Sequence, residues 1–321
     1  MALSFLNDQF VSKAKSALEL IKDSQKITLL THMKSDPDGM SACTALKIIL
    51  VNLNKSVEIV YPDIPTYTFS SQAKEYLVNQ HKQHPDLIIC LDTSDFSMLY
   101  HPSEFDDVKS INIDHHVSNS IKGTLNFVNH TASSACEELA AIIFAWGKEF
   151  ITKDVAHSLL VGILYDSQSF GTQSTTIRTL QISTELATMW NLSIPELKHE
   201  LATLQPPQIL AFWGKLFNNI KTTPSGSCAW ISVTKNMLDE SGMKYEAING
   251  FSNAFAALCN TDITIFFYET SNNRAKASFR SKHFDVNSYA AKFKGGGHTN
   301  AAGVSKKMPL SDLIEEIIKG L

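Results

Sequence analysis

Acidic and histidine residues recur in this chain where short apolar runs stop, and that recurrence narrows the folds open to it. The string Asp114-His115-His116 closes the run Ser110-Ile111-Asn112-Ile113, and Leu87-Ile88-Ile89-Cys90-Leu91 ends in Asp92. The run Ile27 to Thr31 is followed by His32 and then by Lys34-Ser35-Asp36-Pro37-Asp38-Gly39. Beyond that turn Ala42, Leu46, Ile49 and Leu50 keep a helical period, so the segment reads as strand, tight turn, helix. A fourth acid, Asp166, closes a run in which Leu159, Leu160, Ile163 and Leu164 recur at helical spacing. Strands are expected at 27–32, 57–61, 87–91, 110–113 and 125–129, with helices near 40–53, 71–80, 133–146, 154–165 and 176–190. That alternation predicts an α/β domain with a mostly parallel sheet and helices on both faces, in which ligands gather at the carboxyl ends of the strands.

A single Asp after a strand is commonly a turn former or a helix cap, and paired histidines are usually ordinary surface or core residues. Four separate segments that each bring carboxylate or imidazole to an element end are a different matter. The chemistry that needs such a set is a pair of divalent cations about 3.5 to 4 Å apart, caged by hard oxygen and imidazole donors yet open to water and phosphate. Asp36 and Asp38 flank Pro37 and can face two different metals. A carboxylate at Asp92 can bridge both, since it offers about four lone-pair sites.

His32-x-x-x-Asp36-x-Asp38-Gly39, Asp92, Asp114-His115-His116 and Gly162-Ile163-Leu164-Tyr165-Asp166 resemble, in order and spacing, the four motifs of the DHH phosphoesterases. Gly295-Gly296-Gly297-His298 followed by Ala301-Ala302-Gly303 is similar to the signature of the DHH-associated C-terminal domain, so the resemblance covers nearly the whole chain. The subtype it most resembles is the nanoRNase and pAp-phosphatase branch. The resemblance implies that His32, Asp36 and Asp92 hold one metal and that Asp38, Asp92, His115 and Asp166 hold the other. It implies manganese first, with magnesium or cobalt as alternatives. Asp114 would orient a histidine through its second ring nitrogen, and His116 would face the scissile phosphate, giving a catalytic set of His116, Asp114 and Asp92. The implied substrate-binding residues are Arg280, Lys282, Gly295, Gly296, Gly297 and His298. The implied reaction is hydrolysis of short oligonucleotides and dinucleotides to mononucleotides, and of 3'-phosphoadenosine 5'-phosphate to AMP, by metal-activated water. Lys294 stands where many relatives have glycine, and Ser167 follows Asp166 where threonine is commoner; neither removes a ligand.

At 321 residues, 44% of them hydrophobic, the chain can hold two cores. The expected division is a DHH phosphoesterase domain at 1–193, a proline-marked linker at 194–223 and a smaller α/β domain with a mixed sheet at 224–321, the active site lying in a crevice between the domains. Expected strands of the second domain are 227–234, 262–269 and 274–281, with helices near 244–258, 286–293 and 310–319. The formal net charge of -4 hides an asymmetry: residues 1–212 carry 15 basic and 23 acidic side chains, residues 213–321 carry 13 and 9. The second part could therefore grip a polyanion. Its densest stretch sets Arg274, Lys276, Arg280, Lys282, Lys292 and Lys294 against Asp285 alone. The alternation Ala275, Ala277, Phe279 puts Arg274, Lys276, Ser278 and Arg280 on one strand face. Ala301-Ala302 is expected to continue from the glycine triplet into a helical turn, so that backbone amides and a helix N-terminus meet phosphate.

Cys43, Cys90, Cys136, Cys228 and Cys259 are scattered and fit a reducing compartment. Residues 1–25 interleave charges with apolar residues, unlike a signal peptide, and no stretch approaches about 20 apolar residues, so a soluble cytoplasmic protein is expected. The expected partners are short single-stranded oligonucleotides, dinucleotides or nucleotide phosphates, with no membrane; a homodimer stays open. Ser133-Ser134 before Glu137-Glu138 reads as a helix cap, and Asn129 and His130 as further substrate contacts. Three alternatives remain: a pyrophosphatase or polyphosphatase, which would lack the Gly295 to His298 signature; a RecJ-type single-strand exonuclease, which should be longer; and a non-catalytic nucleotide-binding module, which should have lost a ligand.

Overall fold

Strand β1 (Lys26–Leu30) lies inside a six-stranded parallel sheet of order β3-β2-β1-β4-β5-β6, where β2 is Ser56–Tyr61, β3 Leu77–Val78, β4 Leu87–Leu91, β5 Ser110–Asp114 and β6 Leu125–Val128. Every residue of β4 is buried, which is why its sequence is continuously apolar instead of alternating. The chain leaves β1 toward β2 on one side and resumes at β4 on the other. The carboxyl ends of β1 and β4 therefore form the topological switch point, where the loops part and leave a crevice.

The computed structural model describes residues 6–65, 73–201, 206–270 and 274–321. Its contacts divide the chain into two units, Met1–Ala202 and Thr203–Leu321. In the first, helices α1 (Asp8–Asp23), α2 (Pro37–Asn52), α3 (Ala135–Trp146), α4 (Lys153–Asp166), α5 (Ile177–Trp190) and α6 (Ile194–Leu201) all contribute to one apolar cluster with Ile27, Leu29, Ile89 and Ile113 of the sheet. The opposite face shows Leu30, Val60, Ile88 and Cys90, packed with Leu99, Phe105 and Ile121. Helices were expected on both faces. Among the described residues this second face is covered instead by the β4 to β5 crossover, with 3-10 turns at Phe96–Met98 and Ser103–Phe105. Of the helix expected at 71–80, residues 71 and 72 lie outside the described residues, and β3 occupies part of the remainder.

The second unit carries a mixed sheet of order β11-β12-β10-β9-β8-β7, with β7 at Lys221–Thr222, β8 at Cys228–Val233, β9 at Ile263–Glu269, β10 at Ala275–Ser281, β11 at Gly296–His298 and β12 at Ala301–Lys306. Among the described residues of this unit only β8 and β9 pair in parallel. One face packs Ala277, Phe279 and Val304 against α10 (Val286–Ala291) and α11 (Leu310–Ile318). The other packs Ile231 and Phe266 against α7 (Pro207–Phe217), α8 (Lys235–Glu240) and α9 (Phe251–Leu258). The stretch expected as a linker is thus largely structured: Leu197 of α6 joins the first core, and Phe212, Trp213 and Leu216 of α7 join the second. The helix expected at 244–258 breaks at Gly250, whose φ of 80° leaves a 3-10 turn at Tyr245–Ile248 and α9 after it. No helix among the described residues is long and apolar enough to cross a membrane.

Candidate metal centre

The loop after β1 supplies the first donors. His32 Nδ1 donates to the Met33 carbonyl at 2.8 Å, which fixes the tautomer and turns Nε2 toward Asp92 Oδ2 at 3.4 Å and Asp36 Oδ1 at 3.9 Å. Asp36 caps α2, accepting from Asp38 N at 3.0 Å, and Pro37 takes the first helical position, where a backbone donor would be unpaired anyway. Asp38, in the first turn of α2, is fully buried. Its Oδ2 accepts from Ala135 N at 2.6 Å and its Oδ1 from Cys136 N at 3.0 Å, so the first two amides of α3 orient the carboxylate. Helix α4 passes this point through Gly162: a Cβ there would strike Cys136 Sγ and stand 2.7 Å from Asp38 Oδ1.

The ends of β4, β5 and α4 complete the set. Asp92 adopts a left-handed φ of 53°, with its amide held by the Ile113 carbonyl at 3.0 Å. That turn sends its two oxygens to different histidines, Oδ2 to His32 and Oδ1 to His115 Nε2 at 3.5 Å. His115 Nε2 also lies 3.3 Å from Asp166 Oδ2, at the last residue of α4. The neighbouring histidine has a nearer partner: His116 Nδ1 donates to Asp114 Oδ1 at 2.7 Å and lies 3.8 Å from Asp92 Oδ1. The histidine that Asp114 orients is therefore His116.

Asn119 was not singled out in the sequence, yet it ties this corner together. Its Nδ2 donates to Asp114 Oδ2 at 2.5 Å and to the Thr93 carbonyl at 3.0 Å, while its Oδ1 accepts from Asn112 Nδ2 at 3.0 Å and Ile121 N at 3.1 Å. Nothing in its sequence surroundings distinguishes it from a turn residue. The expected cap at α3 is present, with Ser134 Oγ accepting from Glu137 N at 3.0 Å and Glu137 Oε2 from Ser133 N at 2.9 Å. Asn129 spends its side chain on Glu138 and Thr131, which makes it a loop-former; His130 is exposed.

Three overlapping groups result, each with donor atoms within 4.8 Å of one another: His32, Asp36 and Asp92; Asp38, His115 and Asp166; and Asp92, Asp114, His115 and His116. Their electrostatics are those of buried like charges. Burial, followed by the charge of Asp92, pushes Asp38 up to about 7, and burial with Asp38, Asp36 and Asp92 pushes Asp166 well above the usual carboxylate range. Asp92 goes the other way, because hydrogen bonds to His115 and His32 outweigh the effect of its burial. Burial disfavours charge on both imidazoles, but Asp36 and Asp92 lift His32 to about 11, and Asp92 lifts His115 to about 10. His116 is raised through Asp114, again against burial.

This donor set fits divalent cations. Carboxylate and imidazole suit manganese or magnesium, and ligands about 2.1 Å from one ion stand roughly 3 Å apart, close to the 3.3 to 3.9 Å separations present without one. The carboxylates repel one another in a buried site, and positive ions are what would relieve them.

In the second unit Arg280 extends from β10, its Nε donating to Asn253 Oδ1 at 2.9 Å and its Nη1 to the Phe279 carbonyl at 2.8 Å. Lys282 is exposed, as are Gly296 and Gly297, whereas Gly295 is half-buried. The glycines do not lead into a helix. Gly296–His298 pairs antiparallel with Ala301–Lys306, so Ala301 and Ala302 begin a strand and no helix N-terminus stands there. Gly297 has φ 153°, and a Cβ on it would lie 2.6 Å from Ala302 Cα. These glycines serve tight strand pairing and leave a surface of small side chains. Arg274, expected to share the free face, has its guanidinium bound to Ser305, Nε to Oγ at 3.0 Å and Nη2 to the carbonyl at 2.9 Å. The side chain of His298 lies outside the described residues.

Residues 26–163 match the DHH family, N-terminal domain, and residues 230–321 match the DHHA1 domain. The chain is 26% identical to the bifunctional oligoribonuclease and PAP phosphatase NrnA of Mycoplasma genitalium over 94% of its own length and 96% of that protein's. It is likewise 26% identical to the NrnA of Bacillus subtilis, covering 87% of this chain and 88% of that one. Among solved structures, an exopolyphosphatase-related protein from Bacteroides fragilis superposes with a TM-score of 0.85 at 22% identity, covering 96% of each chain. RecJ of Thermus thermophilus in complex with Mn2+ superposes with a TM-score of 0.58 at 12% identity, over 99% of this chain and 55% of that one. At these identities the superpositions speak for the fold alone.

Proposed function

The chain belongs to the DHH family through its N-terminal domain and carries a DHHA1 domain, and from that premise we propose that it is a metal-dependent hydrolase of short oligonucleotides and of 3'-phosphoadenosine 5'-phosphate. The observation that carries this reading is the sharing of Asp92, whose two oxygens face donors of two different groups, His32 on one side and His115 on the other. One ion would sit among His32, Asp36 and Asp92, and a second among Asp38, Asp92, His115 and Asp166. When bound, two divalent cations, manganese by preference, supply Lewis acidity that acidifies water and offsets phosphate charge.

The side chains do the rest. Asp92 would set the spacing of the two positions, since its backbone amide is held by Ile113 and its two oxygens point to His32 and His115. Asp38 keeps its direction through the two α3 amides. His116, oriented by Asp114, which favours its protonated form, would face the scissile phosphate and stabilise negative charge that accumulates on its oxygens as the bond to the leaving group breaks. Asn119 holds Asp114 and so holds the imidazole. In the second unit Arg280, Lys282 and the Gly295 to His298 hairpin bind the terminal nucleotide or its phosphate, the small side chains allowing close approach. The proposed location is cytoplasmic, in keeping with five free cysteines, four of them buried.

One assay panel tests the reading. Purified protein with manganese is given labelled RNA and DNA from 2-mers to 24-mers, 3'-phosphoadenosine 5'-phosphate and pyrophosphate. The expected result is fastest release of mononucleotides from the shortest strands, with turnover of 3'-phosphoadenosine 5'-phosphate beside it. Faster cleavage of pyrophosphate than of any nucleotide would overturn the substrate assignment.

A further inference from the structure

The first turn of α3, whose amides hold Asp38, is itself held by a buried ion network that the reaction outlined above leaves without a task. Glu137 and Glu138 stand side by side there, 0% and 3% exposed. Arg178, from the first turn of α5, spans both: Nη1 reaches Glu137 Oε1 at 2.7 Å and Nη2 reaches Glu138 Oε2 at 2.7 Å. Thr179 Oγ1 donates to Glu137 Oε2 at 2.7 Å, and the same oxygen takes Ser133 Oγ at 2.8 Å. Glu138 Oε2 also accepts from Asn129 Nδ2 at 3.0 Å. Two buried carboxylates on adjacent residues are costly without a cation, and the guanidinium fork is the group that can serve both at once.

The other end of this linkage returns to the same metal position. Between Asp166 and α5 the chain passes through Gln168, Ser169 and Phe170 at φ of 47°, 58° and 68°, three successive non-glycine residues in the left-handed region. Such a turn persists only where its surroundings over-determine it. It is pinned by Ser167, whose Oγ accepts from Phe170 N at 3.0 Å and whose carbonyl accepts from Gly171 N at 2.7 Å. Arg178 fastens α5, which begins at Ile177 a few residues beyond the turn, to α3, where Asp38 rests. Asp38 and Asp166 belong to one donor group with His115; His32 and Asp36 belong to another, and Asp36 meets this linkage through the Asp38 amide alone, not through α3 or α5.

We propose that Arg178 is a positioning residue that sets the distance between Asp38 and Asp166 by clamping the first turns of α3 and α5 together, and so governs the affinity of one metal position and not the other. The inference rests on the two-metal reading. It assigns to Arg178, Glu137 and Glu138 a role in the affinity of that position, beyond their part in packing α3 against α5.

Calorimetric titration of the metal-free full chain with manganese chloride tests it. The unaltered protein is expected to show two sites. Arg178→Lys, whose single ammonium cannot serve both carboxylates, is expected to weaken one site by about tenfold or more and leave the other unchanged, with kcat restored at high manganese. Glu138→Gln, which keeps the Arg178 to Glu137 pair, should weaken the same site by a smaller factor and stands in should the lysine variant not fold. Ile182→Ala, buried on the same helix but outside the network, should lower the melting temperature with both affinities intact. Equal weakening of both sites, or none in either network variant, would overturn the positioning role while leaving the two-metal reading in place. No manganese uptake by the unaltered protein would overturn both.

Discussion

Both units are built on six-stranded sheets, yet they gather functional side chains in opposite ways. In the first unit all six strands run the same way, so their carboxyl ends lie along one edge. Loops after β1, β4 and β5, together with the end of α4, can then deliver donors to one buried point. In the second unit strand directions alternate through most of the sheet, so no single edge collects the ends. There the candidate residues lie on β10 and β11 or just beyond their ends, with Lys282, Gly296 and Gly297 open to water. The chemistry follows the geometry. Convergence buries like charges that divalent cations can neutralise, whereas in the second unit the positive charge of Arg280 and Lys282 is dispersed, with Lys282 open to water. Changes in the first unit should therefore abolish turnover, and changes in the second should act mainly on affinity.

That contrast can be broken by substitution. The largest effect is expected from Asp92→Ala, which removes the shared donor: turnover should fall by at least about 10³-fold, corresponding to about 4 kcal/mol in activation free energy, with the thermal transition retained. Circular dichroism melts beside single-turnover rates check this, and near-normal turnover would remove the bridge from the account. Gly162→Ala comes next. The added methyl meets Cys136 Sγ and Asp38 Oδ1, and a displaced Asp38 should cost about 10²-fold in kcat. Arg280→Ala should raise KM about tenfold and leave kcat within about twofold, as steady-state kinetics on a dinucleotide would show; a fall in kcat with KM unchanged would contradict the division of labour. Lys282→Ala, at an exposed position, is expected to change KM by less than about threefold.

The contrast also explains what could be read in advance. His32, Asp92, Asp114, His115 and Asp166 stood out because each lies at the end of an apolar run whose period announces its element, and Asp36 and Asp38 because they sit in the turn between such a run and a helix. Asn119 was not, since its work depends on Thr93, Asn112 and Asp114, which only the folded chain brings beside it. Arg178 was missed for the same reason: Glu137 and Glu138 read as part of a helix cap, and nothing local tells that a cation arrives from 40 residues away. In the second unit Ala301 and Ala302 suggested a helix because small residues favour one. Strand pairing with the glycines overrode that propensity, and β12 formed instead. The unequal cover of the first sheet was equally hidden, for Leu99 and Phe105 bury one of its faces from within 3-10 turns and loop that carry no periodic signal.

The account rests on two positive ions sharing Asp92, and anomalous diffraction from a crystal equilibrated with manganese addresses that claim most directly. Two peaks about 3.5 to 4 Å apart are expected, one beside His32 and Asp36, the other beside Asp38, His115 and Asp166, with an Asp92 oxygen close to each. A single peak, or two that do not both touch Asp92, would contradict it.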